Sequence, residues 1–307
     1  MERVLVTGGC GFIGSHIVDK LIEKGYEVGV VDNLSTGKLE NITDKNVSFY
    51  DCDIVTHELQ DVVADFDPAF IIHQAAQASV PVSINDILLD ADVNIRGSIN
   101  LIDAARKNNV EKIVFASSAA VYGEPKYLPI DENHPINPQS PYGLSKHTIE
   151  QYLKMANHLY DIDYTILRYS NVYGPRQDAK GEGGVVAIFA DKLSRGENPI
   201  IYGDGKQTRD FVYVEDVAVA NVAALHSGSK KVLNISCSTK ITIKELLNKM
   251  TDLAETDIEA IYEKEREGDI RSSILENAET IKQLQWAPKT SIQLGLEQLM
   301  GKVLIQS

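Results

Sequence analysis

The chain has 307 residues, 43% of them hydrophobic, enough for one large core or two smaller ones. Lys and Arg number 30 and Asp and Glu 44, so the net charge of −14 argues against a nucleic-acid or anionic-membrane surface. Three scattered cysteines, Cys10, Cys52 and Cys237, outline no disulfide framework, and the seven histidines show no metal-ligand spacing. No apolar run approaches the roughly 18 residues of a membrane span. Strand-like sequence begins at Val4, so no signal peptide is expected. The expectation is a cytoplasmic protein with reduced thiols.

Residues 3–7 read as a short buried strand. Gly8-Gly9-Cys10-Gly11-Phe12-Ile13-Gly14 follows, then a helical pattern over 15–24 and a second strand over 27–31 that ends at Asp32. Glycines at such a turn let the backbone approach a pyrophosphate, whose charge meets the free N–H groups of the helix start. Asp32 comes at roughly the 20-residue offset of a ribose-binding carboxylate. A carboxylate there accepts hydrogen bonds from a 2′-hydroxyl and repels a 2′-phosphate, so the cofactor predicted is NAD rather than NADP.

The alternation continues. A third strand over 46–50 ends in Asp51-Cys52-Asp53-Ile54, where Asp53 and Ile54 suit either the flanks of an adenine or a capped turn. A fourth over 69–73 ends in Gln74-Ala75-Ala76, small residues that fit a closely approaching ligand or tight packing. A helix is predicted over 92–107 and a fifth strand over 112–116. Strands alternating with helices imply an α/β fold with a doubly wound parallel sheet. Such sheets bind ligands at the carboxyl ends of their strands.

The fifth strand runs into Ser117-Ser118-Ala119-Ala120-Val121-Tyr122-Gly123. Paired serines there are usually turn or capping residues, unless something downstream needs a hydroxyl. Residues 124–141, rich in Pro, Asn and Asp, read as an irregular loop, and a helix is predicted over 142–160. Its first turn carries Tyr142 and Lys146, four apart and on one face. A free phenol keeps its proton to about pH 10. An ammonium within a few ångströms favours the phenolate. Such a pair can take a proton from an alcohol as hydride leaves the same carbon, and Ser118 can hydrogen-bond the same oxygen.

On these motifs the chain resembles an extended short-chain dehydrogenase/reductase nearly end to end, and closely its UDP-sugar 4-epimerase branch. Later stretches carry the likeness onward: Leu167-Arg168-Tyr169-Ser170-Asn171, Tyr202-Gly203-Asp204-Gly205, Thr208-Arg209-Asp210-Phe211 and Arg266-Glu267-Gly268-Asp269. The resemblance implies a Rossmann sheet that binds NAD. The first contacts would come from Gly8, Gly11, Phe12, Ile13 and Gly14, then from Asp32, Asn33, Leu34, Ser35, Thr36 and Gly37. Further ones would come from Asp53, Ile54, Gln74, Ala75, Ala76, Asn94, Ser117, Tyr142, Lys146 and Tyr169, with Ser170 beside the cofactor or the sugar. The resemblance makes Ser118, Tyr142 and Lys146 the catalytic residues. The substrate implied is a UDP-sugar, held by Ser79, Ser118, Tyr142, Asn171, Tyr202, Arg209, Arg266, Asp269 and Ser273. Arginine suits a diphosphate because its planar fork donates two hydrogen bonds.

Members of this family that eliminate water place an Asp-Glu pair just after the serine or threonine, and decarboxylases place a Glu in that stretch. Here Ala119 and Ala120 stand there, and alanine cannot transfer a proton. The activity expected is oxidation at C4′ and re-reduction from the other face, interconverting UDP-glucose and UDP-galactose. Ser273 is small where some members carry tyrosine, so the N-acetylated UDP-sugars are expected to fit as well. A dehydratase or decarboxylase of the same family is the nearer alternative, a non-catalytic NAD-sensing protein the farther one. Well-known 4-epimerases have a lysine at the position of Ala78; that contact is absent here, and Ser79 is expected to face the substrate instead.

The domains implied are interleaved: 1–170 with about 213–238 for the cofactor, and 171–212 with 239–307 for the nucleotide sugar, a smaller C-terminal substrate domain. Residues 200–202 read as an edge strand beside the base, and Asp204-Gly205 as a hairpin turn. Residues 232–236 read as a strand returning to the main sheet, and 241–253 as an amphipathic structural helix. The helices over 92–107 and 142–160 are expected to pair in a homodimer.

Overall fold

Val4 and Val6 join the core on one side of the first strand and Leu5 on the other, and all three are closed to solvent. A strand buried on both faces needs layers above and below it, as in parallel α/β sheets. The computed structural model describes residues 1–42, 46–179, 184–265 and 270–306. It supplies both layers.

In chain order come β1 (Arg3–Thr7), α1 (Phe12–Glu23), β2 (Glu27–Asp32), β3 (Ser48–Asp51), α2 (Glu58–Phe66) and β4 (Phe70–His73). Two short helices, α3 (Val80–Asn85) and α4 (Ile87–Asp90), lead through a π-helical stretch (Ala91–Gly97) into α5 (Ser98–Lys107). Then come β5 (Lys112–Ser118), α6 (Pro141–Tyr160), β6 (Asp163–Tyr169), β7 (Asn171–Tyr173), α7 (Val185–Ser194), β8 (Ile200–Tyr202), β9 (Thr208–Arg209) and β10 (Phe211–Tyr213). The chain ends with α8 (Val214–Ala223), β11 (Lys231–Ile235), β12 (Ile241–Thr242), α9 (Ile243–Leu253), β13 (Ile261–Glu263), α10 (Ala278–Leu284) and α11 (Ile292–Gln306).

Seven strands form one parallel sheet in the order β11-β6-β5-β4-β1-β2-β3. This is the doubly wound arrangement that the alternation predicts. Strand order reverses between β1 and β4, the switch point where such sheets open a crevice. Ile17 and Leu21 of α1 and Val217 of α8 cover one face. Leu59, Leu101 and Leu153, from α2, α5 and α6, cover the other. β11 joins the sheet edge beside β6, as expected of a returning strand.

The helix expected over 92–107 starts earlier and differently, continuing from α4 through the π-helical stretch. A Cβ on Gly97 would lie 2.7 Å from Ile54 Cδ1, so this helix presses directly on the exit of β3.

The other strands pair two at a time: β7 with β10, β8 with β13, and β9 with β12, the last antiparallel. They surround a separate core that includes Phe189, Ile201, Phe211, Leu246, Met250 and Leu296. The Asp204-Gly205 turn is therefore not the hairpin predicted. β8 and β9 belong to different sheets, and the turn carries the chain from one to the other. The fork of Arg271 holds it, donating to the two Asp204 carboxylate oxygens at 2.7 and 2.8 Å. α9 begins with a capping box between Thr242 and Glu245. Among the described residues no helix is long and apolar enough to cross a membrane, and no cluster of side chains suits a metal ion.

Candidate active site

A cleft of about 590 Å³ opens at the carboxyl ends of β1, β2, β3 and β4. Gly8, Gly11, Phe12, Ile13 and Gly14 line its floor, as the glycine motif predicts. Gly8 sits at φ 71°, in the left-handed region, and a Cβ there would lie 2.6 Å from Ala75 N. A Cβ on Gly14 would lie 2.0 Å from Gly8 O. At Gly8 and Gly14 there is thus no space for a side chain, and bare backbone reaches the cleft. α1 begins at this point with no side-chain cap, leaving its first N–H groups for an anion.

Asp32, at the end of β2, accepts N–H bonds from Cys10 and Leu34, both at 2.9 Å. Burial raises its carboxyl pKa, against the opposing pull of those two bonds. Asn33, Ser35, Thr36 and Gly37 join it in the cleft wall, whereas Leu34, at φ 55°, is not part of the lining. Asp53 combines two placements. It lines the cleft with Ile54, and it caps a turn by accepting from Val55 N–H at 3.0 Å. Gln74, Ala75, Ala76 and Ser79 form the far wall. Glycine floor, uncapped helix start and ribose-level carboxylate together fit a dinucleotide such as NAD.

Of the residues expected at the cofactor, Leu34, Asn94, Ser117, Tyr142, Lys146 and Tyr169 are not part of this cleft's lining. Ser117 donates its hydroxyl to Glu150 at 2.7 Å, which commits that side chain to the interior. Asn94 is buried behind the wall, where it bonds both backbone groups of Gln77 and also the Asp90 and Ser145 side chains. Ser79 lines the cleft, but its hydroxyl accepts from Val82 N–H and so caps α3.

Tyr142 and Lys146 of α6 lie against the end of β5, the strand that carries Ser118. Ser140 caps α6 by accepting from Gly143 N–H, and Pro141 opens its first turn. A Cβ on Gly143 would lie 2.6 Å from Ala120 O, so this turn packs directly on the residues after Ser118. Lys146 is buried, donates to Ala116 O at 2.9 Å, and lies 5.8 Å from the centre of the Tyr142 ring. The half-buried Ser118 faces Tyr169 across the β5–β6 ladder. Tyr169 donates its hydroxyl to Asn221 and accepts from Gln74, both at 2.9 Å.

His73 is wired beneath these groups. Its Nδ1 meets Thr7 Oγ1 at 2.7 Å, and its Nε2 meets Ser98 Oγ at 2.8 Å. Ser98 spends its own proton on Asn94 O at 2.5 Å, so Nε2 carries the hydrogen. Burial, then the charge of Lys146, pushes His73 down to about 3, and the ring stays neutral.

Of the residues expected to hold the nucleotide sugar, Asn171, Tyr202, Arg209 and Ser273 lie around β9, away from the cleft lining. Both the N–H and the Nδ2 of Asn171 donate to Asp210 O, at 3.0 and 3.2 Å. Arg209 Nη1 donates to Thr208 O and Ile270 O, at 2.9 and 2.7 Å. Ser273 N–H donates to Thr208 O at 3.1 Å, and Tyr202 ends β8 half-buried. Arg209 also borders a second cavity, of about 840 Å³, between α9 and the start of α11. Arg266 and Asp269 lie outside the described residues.

Three groups escaped the sequence. Asp210 is fully buried, accepts N–H bonds from Cys237 and Leu275, and is pushed up to about 7 by burial. Asn221 joins the Tyr169 network from α8. Glu150 and Arg168 form a buried ion pair behind Ser117. The Arg-Asp step of the β9 motif is a faint signal for the first and the Leu167-Arg168-Tyr169 motif for Arg168; nothing in the sequence marks Asn221 or Glu150.

Known proteins agree with this geometry. The sequence profile of the NAD dependent epimerase/dehydratase family matches residues 4–236. A protein of Mycolicibacterium smegmatis named UDP-glucose 4-epimerase is 41% identical over 300 residues, 96% of each chain. The crystal structure of a Thermotoga maritima UDP-glucose 4-epimerase with UDP-glucose superposes with a TM-score of 0.96 at 43% identity, covering 99% of this chain and 98% of that one. A UDP-N-acetylglucosamine 4-epimerase of Methanobrevibacter ruminantium, in complex with UDP-N-acetylmuramic acid, gives 0.95 at 38%, covering 100% and 99%. By its sequence profile, its near full-length relatives and its fold, the chain belongs to the NAD dependent epimerase/dehydratase family.

Proposed function

We propose that this protein is an NAD-dependent UDP-sugar 4-epimerase that interconverts UDP-glucose and UDP-galactose. One observation carries the reading. Lys146 lies 5.8 Å from the centre of the Tyr142 ring and donates to Ala116 O of β5, the strand that ends at Ser118, and the two positions after Ser118 are Ala119 and Ala120. Proton transfer at one alcohol is provided for; elimination and decarboxylation are not.

In this reading Tyr142 takes the proton of the 4′-hydroxyl and later returns it. Ser118 hydrogen-bonds the same oxygen. Lys146 stabilises the phenolate and holds the ribose next to the nicotinamide. NAD, when bound, accepts the C4′ hydride and gives it back. Inversion requires the keto sugar to turn while its diphosphate stays gripped, the role given to Asn171, Arg209 and Arg266. Asp269 would hold the uridine ribose and Tyr202 the base.

Ser273 leaves room for a 2-acetamido group, and the kinship with a UDP-N-acetylglucosamine 4-epimerase supports acceptance of N-acetylated substrates. The cofactor unit would be 1–170 with about 213–238, and the nucleotide-sugar unit 171–212 with 239–307. Exposed Leu144, Met155 and Leu159 on α6 support a homodimer built on α5 and α6. A cytoplasmic location fits the substrate and cofactor. The test is conversion of UDP-galactose by the purified protein with no cofactor added. A product lacking water or CO2 would instead make the protein a dehydratase or decarboxylase.

A further inference from the structure

Val217 O can only accept, and it receives Asn221 Nδ2 at 2.8 Å. That contact fixes the Asn221 amide and leaves Oδ1 as its acceptor toward β6. Oδ1 takes the Tyr169 hydroxyl at 2.9 Å and Gln74 Nε2 at 3.2 Å. Because the Tyr169 proton goes to Asn221, its oxygen must accept, and it does so from Gln74 Nε2 at 2.9 Å. Burial pushes the Tyr169 phenol well above its ordinary pKa, so the proton stays in place.

Gln74 therefore turns its amide hydrogens inward. Its carbonyl oxygen, Oε1, takes no hydrogen bond from the described residues and is left for the cleft that Gln74 lines. Asn221 is fully buried, comes from α8, and does not itself line the cleft. The orientation of a cleft residue is thus decided by a backbone carbonyl two links away.

We propose that Asn221, acting with Tyr169, sets the amide polarity of Gln74 so that the cleft offers an acceptor, Gln74 Oε1, to an N–H or O–H donor of the bound ligand. The proposal rests on reading the cleft as an NAD and UDP-sugar site. Two groups there have the required chemistry: the carboxamide N–H of the nicotinamide and a hydroxyl of the sugar. A flipped Gln74 would present hydrogens, which the carboxamide N–H cannot accept and a hydroxyl could accept only by giving up its donor role. Gln74 is the contact, and Asn221 is a positioning residue.

Gln74→Met keeps the side chain's length and removes the acceptor. Wild type and variant are each equilibrated with equal NAD and 3-acetylpyridine adenine dinucleotide, whose ketone has no N–H to donate. The bound dinucleotides are released by denaturation and their ratio is read by chromatography. If the carboxamide is the donor, wild type prefers NAD about fivefold more strongly than Gln74→Met does, the worth of one neutral hydrogen bond. If a sugar hydroxyl is the donor, the ratio stays the same and the KM for UDP-glucose rises by about that factor.

Asn221→Leu should move the same quantity in the same direction, and the double variant should go no further than either single one. Effects that multiply in the double variant would overturn the role of Asn221. Gln74 is partly exposed, so its variant decides the matter even if Asn221→Leu does not fold. An unchanged ratio together with an unchanged KM in Gln74→Met overturns the proposal. A wild-type protein that retains neither dinucleotide and leaves UDP-galactose unconverted overturns the underlying reading instead.

Discussion

Glu150 Oε2 accepts a hydrogen bond from Arg168 Nη2 at 2.6 Å, with both side chains closed to solvent. Glu150 Oε1 takes Arg168 Nε at 2.8 Å and the Ser117 hydroxyl at 2.7 Å. One carboxylate thus ties together α6, β5 and β6, the three elements that carry Tyr142, Ser118 and Tyr169.

The pair should dominate the acid sensitivity of the fold. Burial pushes the Glu150 carboxyl up, but the donors Arg168, His147 and Ser117 more than reverse this and hold it at about 2. A carboxyl held below its unfolded value, 4.5, stabilises the native state above that pH. The contribution fades as pH falls from 4.5 toward 2. Glu150→Gln should cost about 3 kcal/mol in urea unfolding at pH 7, because Arg168 loses its partner in the interior. The gap between variant and wild type should narrow at pH 3. An equal gap at both pH values would show that the ionised pair is not its source.

Tyr142→Phe removes only the phenol oxygen. Turnover of UDP-galactose should fall by about 1,000-fold, the scale of lost general acid–base catalysis. Bound NAD, measured after denaturation, should stay at the wild-type level. Near-normal turnover would remove Tyr142 from the role of base.

The Gly143 backbone sets how closely α6 approaches Ser118, since a Cβ there would lie 2.6 Å from Ala120 O. Gly143→Ala should push Tyr142 away from Ser118. A displacement of about 1 Å is enough to cost about 100-fold in kcat, with KM little changed. A variant within twofold of wild type would show that this contact does not fix the spacing.

Ser273→Tyr tests the sugar pocket. Activity on UDP-N-acetylglucosamine should fall by at least about 100-fold relative to UDP-glucose, because the added ring would occupy the space given to the acetamido group. Equal activity of the variant on both sugars would refute the role of Ser273.

Much of this architecture was legible in local pattern. Strand, glycine turn, helix, strand and acid follow one another within the first 32 residues, and each is dictated by its neighbours. The Tyr142–Lys146 spacing needed only the period of a helix. What escaped depends on contacts between distant segments. Gln74 and Asn221 are 147 residues apart, and no periodicity links them. The Asp204-Gly205 turn has the composition of a hairpin, yet the partner of β8 is β13, about 60 residues on, so composition misled. Ser117 sits beside Ser118 in a strand, where alternate residues face opposite ways; that rule, applied strictly, would have sent one serine inward.

The central claim is that hydride leaves C4′ and returns to it without meeting solvent. Proton NMR of UDP-galactose incubated with the purified protein in D2O, with no cofactor added, tests it most directly. The account predicts an equilibrium mixture with UDP-glucose in which C4′ keeps its original hydrogen. Deuterium at C4′, loss of water or CO2, or no conversion at all would contradict it.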